Sequence, residues 1–225
     1  MSEVSSFLRE LDEAVSRGTP ESRKRALWHT TDLMIAGRYS DDEIWTFGAV
    51  IGRLADEIEV AARAQLARRL ASFDRAPVNI IHQLAFDDEI EVAGPVLRDS
   101  EQLEPYALVA NVCLKGQDHM LAISERKSID EAVTDVLVTR GNQEVVNSVA
   151  RNKGARFSDF GFLHMIKRAE GDSILAEQLG LRQDIPRHIF QQLIAKASDD
   201  VRKRLERERP NMVEQIQSSV TDVTG

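Results

Sequence analysis

The sequence predicts an all-α protein: a HEAT-like helical-repeat solenoid of αα-hairpin units, capped by an N-terminal helical bundle. Three observations carry this. The hexapeptide DEIEVA occurs at Asp56–Ala61 and again at Asp88–Ala93. Weaker apolar echoes then follow from Val60 to Val92, Leu121, Val145, Leu175 and Val201, in steps of 32, 29, 24, 30 and 26 residues. A recurrence at similar spacing of this size is the signature of stacked supersecondary units. Finally, aromatic residues are only 5% of the chain, so Leu, Ile, Val and Ala must fill the core, which suits thin layers of packed helices.

Residues 1–55 are expected to form the N-terminal cap. Thr19-Pro20 reads as a helix start, with Pro at the first helical position. Ser40-x-x-Glu43 has the form of a capping box, followed by Ile44, Phe47, Ile51 and Leu54 on one face. Trp28 and Trp45 are expected to cover the open end of the stack, and Gly48-x-x-x-Gly52 to allow a close helix contact. Residues 56–209 form the repeat domain. Each echo opens a helix A, with a second apolar residue four places on: Val92 with Val96, Val145 with Val149, Leu175 with Leu179, Val201 with Leu205. Turn signals precede the echoes at Phe86–Glu89, Lys115–Asp118, Arg140–Gln143, Glu170–Ser173 and Ala197–Asp200. In them Gly is expected to close one helix in the left-handed conformation and Asp, Asn or Ser to cap the next. Between turns, PVNIIHQLA, PYALVANVCL, EAVTDVLV, FGFLHMIKRA and RHIFQQLIA are the B helices. Pro95 is expected to kink its A helix. Residues 210–225 are a short helix and a frayed polar tail, continuous with the repeats.

The chain of 225 residues carries a formal net charge of −8, which speaks against a phosphate backbone as partner. Charge is uneven: seven acids and one base lie between Phe86 and Glu104, and four Arg and one Asp between Arg63 and Arg75. The single Cys113 sits in an apolar run and reads as a small core residue; it permits no internal disulfide. The N-terminal MSEVSSFLRELDEAV has early acids and no apolar core, unlike a signal peptide, and the apolar run Ala107–Leu114 is short for a membrane span. A cytoplasmic location is expected. His29, His82, His119, His164 and His188 show no metal spacing, no nucleotide-binding loop or nucleophile elbow occurs, and no cofactor or catalytic residue is assigned.

The stretches LAFDDEIEVAGPVLRDSEQL, LAISERKSI, NQEVVNSVARNKGARFS and LRQDIPRHIFQQL, in this order and spacing, resemble a bacterial family common in alphaproteobacteria, the domain of unknown function 2336 family. The similarity covers roughly Leu70 to Lys196. The positions that carry it are Leu84-Ala85, Val92-Ala93, Pro95-Val96-Leu97, Ser100, Arg126, Asn152, Ala155, Arg182, Asp184 and Pro186; Phe86 departs from it, where a shorter polar turn is usual. The resemblance implies a helical, HEAT-like fold and no established activity. Arg126, Asn152, Arg182 and Asp184 read as structural: Arg126 in a ladder with Asp130 or Glu131, Asn152 as a helix terminator, Asp184 as a cap.

A stacked array exposes an extended concave face lined by B helices. The expected function is a non-enzymatic binding or scaffold module that docks a protein or peptide partner there. Asn79, His82, Gln83, Asn111, Lys115, His164, Lys167, Arg168, Gln191 and Lys196 are the B-helix positions expected to reach it. A homo-oligomer through complementary charge patches is compatible with the same pattern. Two alternatives make different demands: nucleic-acid binding along a basic stripe of Lys24, Arg63, Arg68 and Arg69, or an enzyme or small-molecule binder with a pocket between helices.

Overall fold

The computed structural model describes residues 18–213 and 216–217. Thirteen α-helices and one 3-10 turn, Pro210–Met212, form among them, and no strand. One isolated parallel bridge joins Ile129 to Ala155. The chain divides into two compact units, Met1–Ile123 and Ser124–Gly225.

Unit 1 holds α1 (Pro20–Ala36), α2 (Asp41–Asp56), α3 (Val60–Ala71), α4 (Val78–Ala85), α5 (Ile90–Asp99) and α6 (Pro105–Leu114); α7 (Gln117–Ser124) ends it. Unit 2 holds α8 (Glu131–Arg140), α9 (Gln143–Arg151), α10 (Asp159–Ala169), α11 (Ser173–Leu181), α12 (Arg187–Lys196) and α13 (Asp199–Glu208). All eleven expected A and B helices after residue 55 are present: the odd helices from α3 are the A helices, the even ones from α4 the B helices. From α3 on, each has only 8 to 12 residues, too short to be stable alone in water, so packing must hold them. Where helices pack closely, the partner is the neighbour in sequence or the helix two along. In unit 1, α2 meets α4 and α3 meets α5; in unit 2, α8 meets α10 and α10 meets α12, while α9 meets α11 and α11 meets α13. Leu27, Phe47, Ile51, Leu66, Ile80 and Leu97 fill the core of unit 1, and Leu137, Val146, Met165, Leu179, Phe190 and Leu205 that of unit 2.

Local signals set the helix starts. The Thr19 hydroxyl accepts from Ser22 N with Pro20 next, Ser40 and Glu43 close a full capping box, and Asn142, Ser158, Asp172 and Ser198 each cap a helix through the side chain. Each satisfies a backbone N–H that has no intrahelical partner. Pro95 sits inside a continuous α5.

Several expectations are corrected. Among the described residues only Gly171 takes a left-handed φ, +83°; Gly116 does not, and Gly141 ends its helix in extended backbone, its carbonyl held by Arg168 Nη1 at 2.8 Å. The two DEIEVA copies differ: Asp56 ends α2 and Ile58 lies in the turn before α3, whereas Ile90 already opens α5. Cys113 is exposed, since Leu108 and Val112 turn inward on α6. Trp45 is 59% exposed, one helical step off the stripe of Phe47, Ile51 and Leu54. The N-terminal stretch expected not to be a signal peptide, and most of the expected C-terminal tail, lie outside the described residues.

Candidate functional site

Side chains about one hairpin further along donate to helix carbonyls, several of them at helix ends, where carbonyls lack intrahelical partners. Asn79 Nδ2 donates to Trp45 O at 3.3 Å. Gln83 Nε2 donates to Gly52 O at 3.0 Å and to Asp56 Oδ1 at 2.6 Å. Gly48 and Gly52 make room for both: a Cβ at Gly48 would lie 2.1 Å from Asn79 Oδ1, and one at Gly52 2.4 Å from Gln83 Oε1. Asn111 Nδ2 donates to Ala85 O at 2.8 Å, Arg168 Nη1 to Gly141 O at 2.8 Å and Val138 O at 3.3 Å, and Arg209 Nη1 to Gly180 O at 2.8 Å and Arg182 O at 3.0 Å.

Ion pairs repeat the spacing. Lys24 meets Glu59 at 2.7 Å, Lys196 meets Glu170 at 2.6 Å, and Lys115 meets Asp88. In each pair the lysine, by its hydrogen bond first and its charge second, holds the carboxyl below the usual carboxylate range.

The ten expected docking positions therefore fall into groups. Asn111 is corrected outright: at 1% exposure it faces the core and cannot meet a partner. Asn79, Gln83 and Arg168 are half-buried and bonded to the neighbouring hairpin. Lys115 and Lys196 are ion-paired. His82 is half-buried, its ring edge-on to Tyr106 at 6.3 Å. His164 lies against the Phe160 ring at 4.1 Å, with Nδ1 3.3 Å from Phe160 O. Lys167 and Gln191 are exposed.

Sequence reasoning missed the large apolar side chains that face outward. Trp45 on α2, Val78 on α4, Tyr106 and Leu114 on α6, and Phe160 and Leu163 on α10 all sit on even-numbered helices; Ile174 and Leu181 on α11 are the exceptions. A periodicity argument assigns apolar residues inward. The usable signal was their phase, one step away from each helix's apolar stripe.

The four family-typical polar residues meet in unit 2. Arg182 is buried, and its five N–H donors reach five acceptors: Nε and Nη2 grip the Asp184 carboxylate at 2.8 and 2.7 Å, Nη1 reaches Ala150 O at 3.2 Å and Asn152 O at 2.8 Å, and Nη2 reaches Ala155 O at 2.7 Å. Its guanidinium also lies over the Phe157 ring, 4.5 Å from the centroid. Asn152 ends α9, donates to Ser124 O at 2.8 Å and Arg126 O at 2.7 Å, and accepts from Gly154 N at 2.8 Å. Asp184 is not the cap of α12; Pro186 holds that place. Asp130, expected beside Arg126, pairs with Arg156.

A cleft of about 460 Å³ lies beside this network, between Arg151, Lys153, Gln178 and Leu181. Another of about 420 Å³ opens in unit 1 beside Trp45 and Val78. The basic stripe is largely neutralised: Arg63 pairs with Asp87 at 2.8 Å, Lys24 with Glu59, and Arg69 with Asp32. Among the described residues no three His, Cys, Asp or Glu side chains gather to hold a metal ion, and no helix is long and apolar enough to cross a membrane.

No curated protein and no solved structure matches the chain. A family described as an uncharacterised protein conserved in bacteria, the domain of unknown function 2336 family, matches residues 92–225. That span reaches further toward the C-terminus than the resemblance did, starts later, and includes Arg126, Asn152, Arg182 and Asp184. It is more than half of the chain, and the chain belongs to this family.

Proposed function

We propose that the chain is a non-enzymatic binding or scaffold module, a HEAT-like stack of αα-hairpins that docks a protein or peptide partner on the face of its even-numbered helices. One observation carries the reading: most of the exposed large apolar side chains lie on even-numbered helices, Trp45, Val78, Tyr106 and Leu114 in unit 1 and Phe160 and Leu163 in unit 2. Exposed aromatics that are not needed by the core are the residue types on which protein interfaces depend. Polar groups expected on the same face serve the hairpin contacts, so recognition passes to Trp45, Tyr106, Phe160 and Leu163, together with Lys167 and Gln191.

The test is affinity capture from nuclease-treated cytoplasm. The control combines Trp45→Ala, Tyr106→Ala, Phe160→Ala, Lys167→Ala and Gln191→Ala, all at exposed positions. A partner held by the natural chain and lost by the control supports the module. A partner held equally by both sinks the assignment to this face.

A further inference from the structure

We infer that the face around Trp45 takes a cationic segment of a protein partner, one that combines Lys or Arg with apolar anchors. The inference rests on the docking reading above and names its partner's chemistry. Trp45 is 59% and Tyr106 64% exposed, and Val78 shares the cleft of about 420 Å³ with Trp45. Tyr106 stands beside the same helix α4, through its contact with His82. Exposed aromatics on either side of α4, one of them lining an apolar cleft, are a seat for an apolar anchor.

The surroundings set the sign of the charge. Asp41 and Asp74 line the cleft. Asp42 follows Asp41, Glu104 precedes α6, and Glu101 lies in the turn before it. Arg75, which lines the cleft, is held by Tyr39 O at 2.8 Å and Asp41 at 3.3 Å. Asp41 and Asp42 also suit the first turn of α2, but Asp74 and Glu101 lie in turns, and Glu104 makes no capping bond. These carboxylates draw a cation and repel acidic peptides, nucleic acid and anionic lipid alike. A Lys or Arg entering here meets both the acids and the faces of Trp45 and Tyr106, which attract it through their ring quadrupoles.

The test uses the full chain and three short fluorescein-labelled amphipathic peptides, read by anisotropy: one of Lys and Leu, one of Glu and Leu, one of Lys and Ser. The Lys/Leu peptide should bind at least about tenfold more tightly than either other peptide. Trp45→Ala with Tyr106→Ala leaves the net charge unchanged, so it separates this face from general attraction to an acidic protein; it should weaken binding at least about tenfold. Asp74→Lys with Glu104→Lys should weaken it likewise, and circular dichroism confirms that each variant is folded. Equal binding of the Glu/Leu or Lys/Ser peptide, or full binding by the aromatic variant, overturns the proposal. So does a dimer of the natural chain that the aromatic variant dissolves in sedimentation, since the occupant is then a second copy. If capture finds a partner that the control loses while the Lys/Leu peptide does not bind, the docking reading stands and only the cationic class falls.

Discussion

Arg182 uses every N–H of its guanidinium inside unit 2, on Ala150 O, Asn152 O, Ala155 O and the Asp184 carboxylate. Nothing on it is left for a ligand, and removing it orphans carbonyls that water reaches poorly. Arg182→Met should cost about 3 kcal/mol, the scale for breaking a buried charged group from its partners. Arg182→Lys keeps the charge and loses the planar fork, so it should fall between, at about 1–3 kcal/mol. Urea unfolding followed by far-ultraviolet circular dichroism checks both; a midpoint that neither variant moves removes Arg182 from the fold's support. This network was only half legible in the sequence. Asn152 as a helix terminator follows from local chemistry, since Asn ends helices and bonds the next turn. The bonds of Arg182 and Asn152 to backbone 26 to 32 residues upstream leave no local pattern. Asp184 precedes Ile185-Pro186 and has the look of a cap; it instead pairs with Arg182, two residues before it, and Pro186 opens α12 without a side-chain bond.

Among the elements, α2 and α4 show best what a helix face can and cannot announce. Gly48 and Gly52 are four residues apart, as are Asn79 and Gln83, and the two pairs meet as small against polar. Alanine favours a helix over glycine by about 1 kcal/mol, so propensity alone predicts that Gly48→Ala stabilises. Contact predicts the reverse. The new Cβ would lie 2.1 Å from Asn79 Oδ1 and 2.5 Å from Pro77 Cβ, and the latter atom belongs to a rigid ring at the start of α4. The expected net loss is about 1–3 kcal/mol. At Gly52 the nearest atom is the flexible end of Gln83, so Gly52→Ala should cost less. Unfolding watched by tryptophan fluorescence, from Trp28 in α1 and Trp45 in α2, compares the two; a stabilised Gly48→Ala would show that α4 can move aside. The close contact was legible because a Gly-x-x-x-Gly spacing is itself helical. Its occupants were not, for Asn79 and Gln83 share the phase of an open surface. The exposure of Trp45 and Cys113 escaped for the opposite reason: both are apolar, and phase rather than residue type decides which way they face.

Across the whole molecule the order of short helices was legible because caps, turns and apolar stretches are local in sequence. What joins one hairpin to the next was not, since Lys24–Glu59, Arg63–Asp87 and Lys196–Glu170 pair residues 24 to 35 apart without a shared motif. Those joints, together with Asn111, Arg168 and Arg209, make a series of rungs, each between adjacent hairpins. The proposed stack predicts nearest-neighbour energetics, in which separate rungs act independently. Arg168 holds the end of α8 through Val138 O and Gly141 O and shares no acceptor with Arg182. Arg168→Met and Arg182→Met should therefore add to within about 0.5 kcal/mol. Asn152 and Arg182 belong to one rung, because Arg182 Nη1 donates to Asn152 O while Asn152 holds the backbone that Arg182 grips. Asn152→Ala combined with Arg182→Met should fall short of the sum by about 0.5 kcal/mol or more. Urea unfolding of the singles and doubles by circular dichroism decides it. Coupling in the Arg168 pair as large as in the Asn152 pair would mean that unit 2 responds as one block, and the rung-by-rung account of its stability would fail.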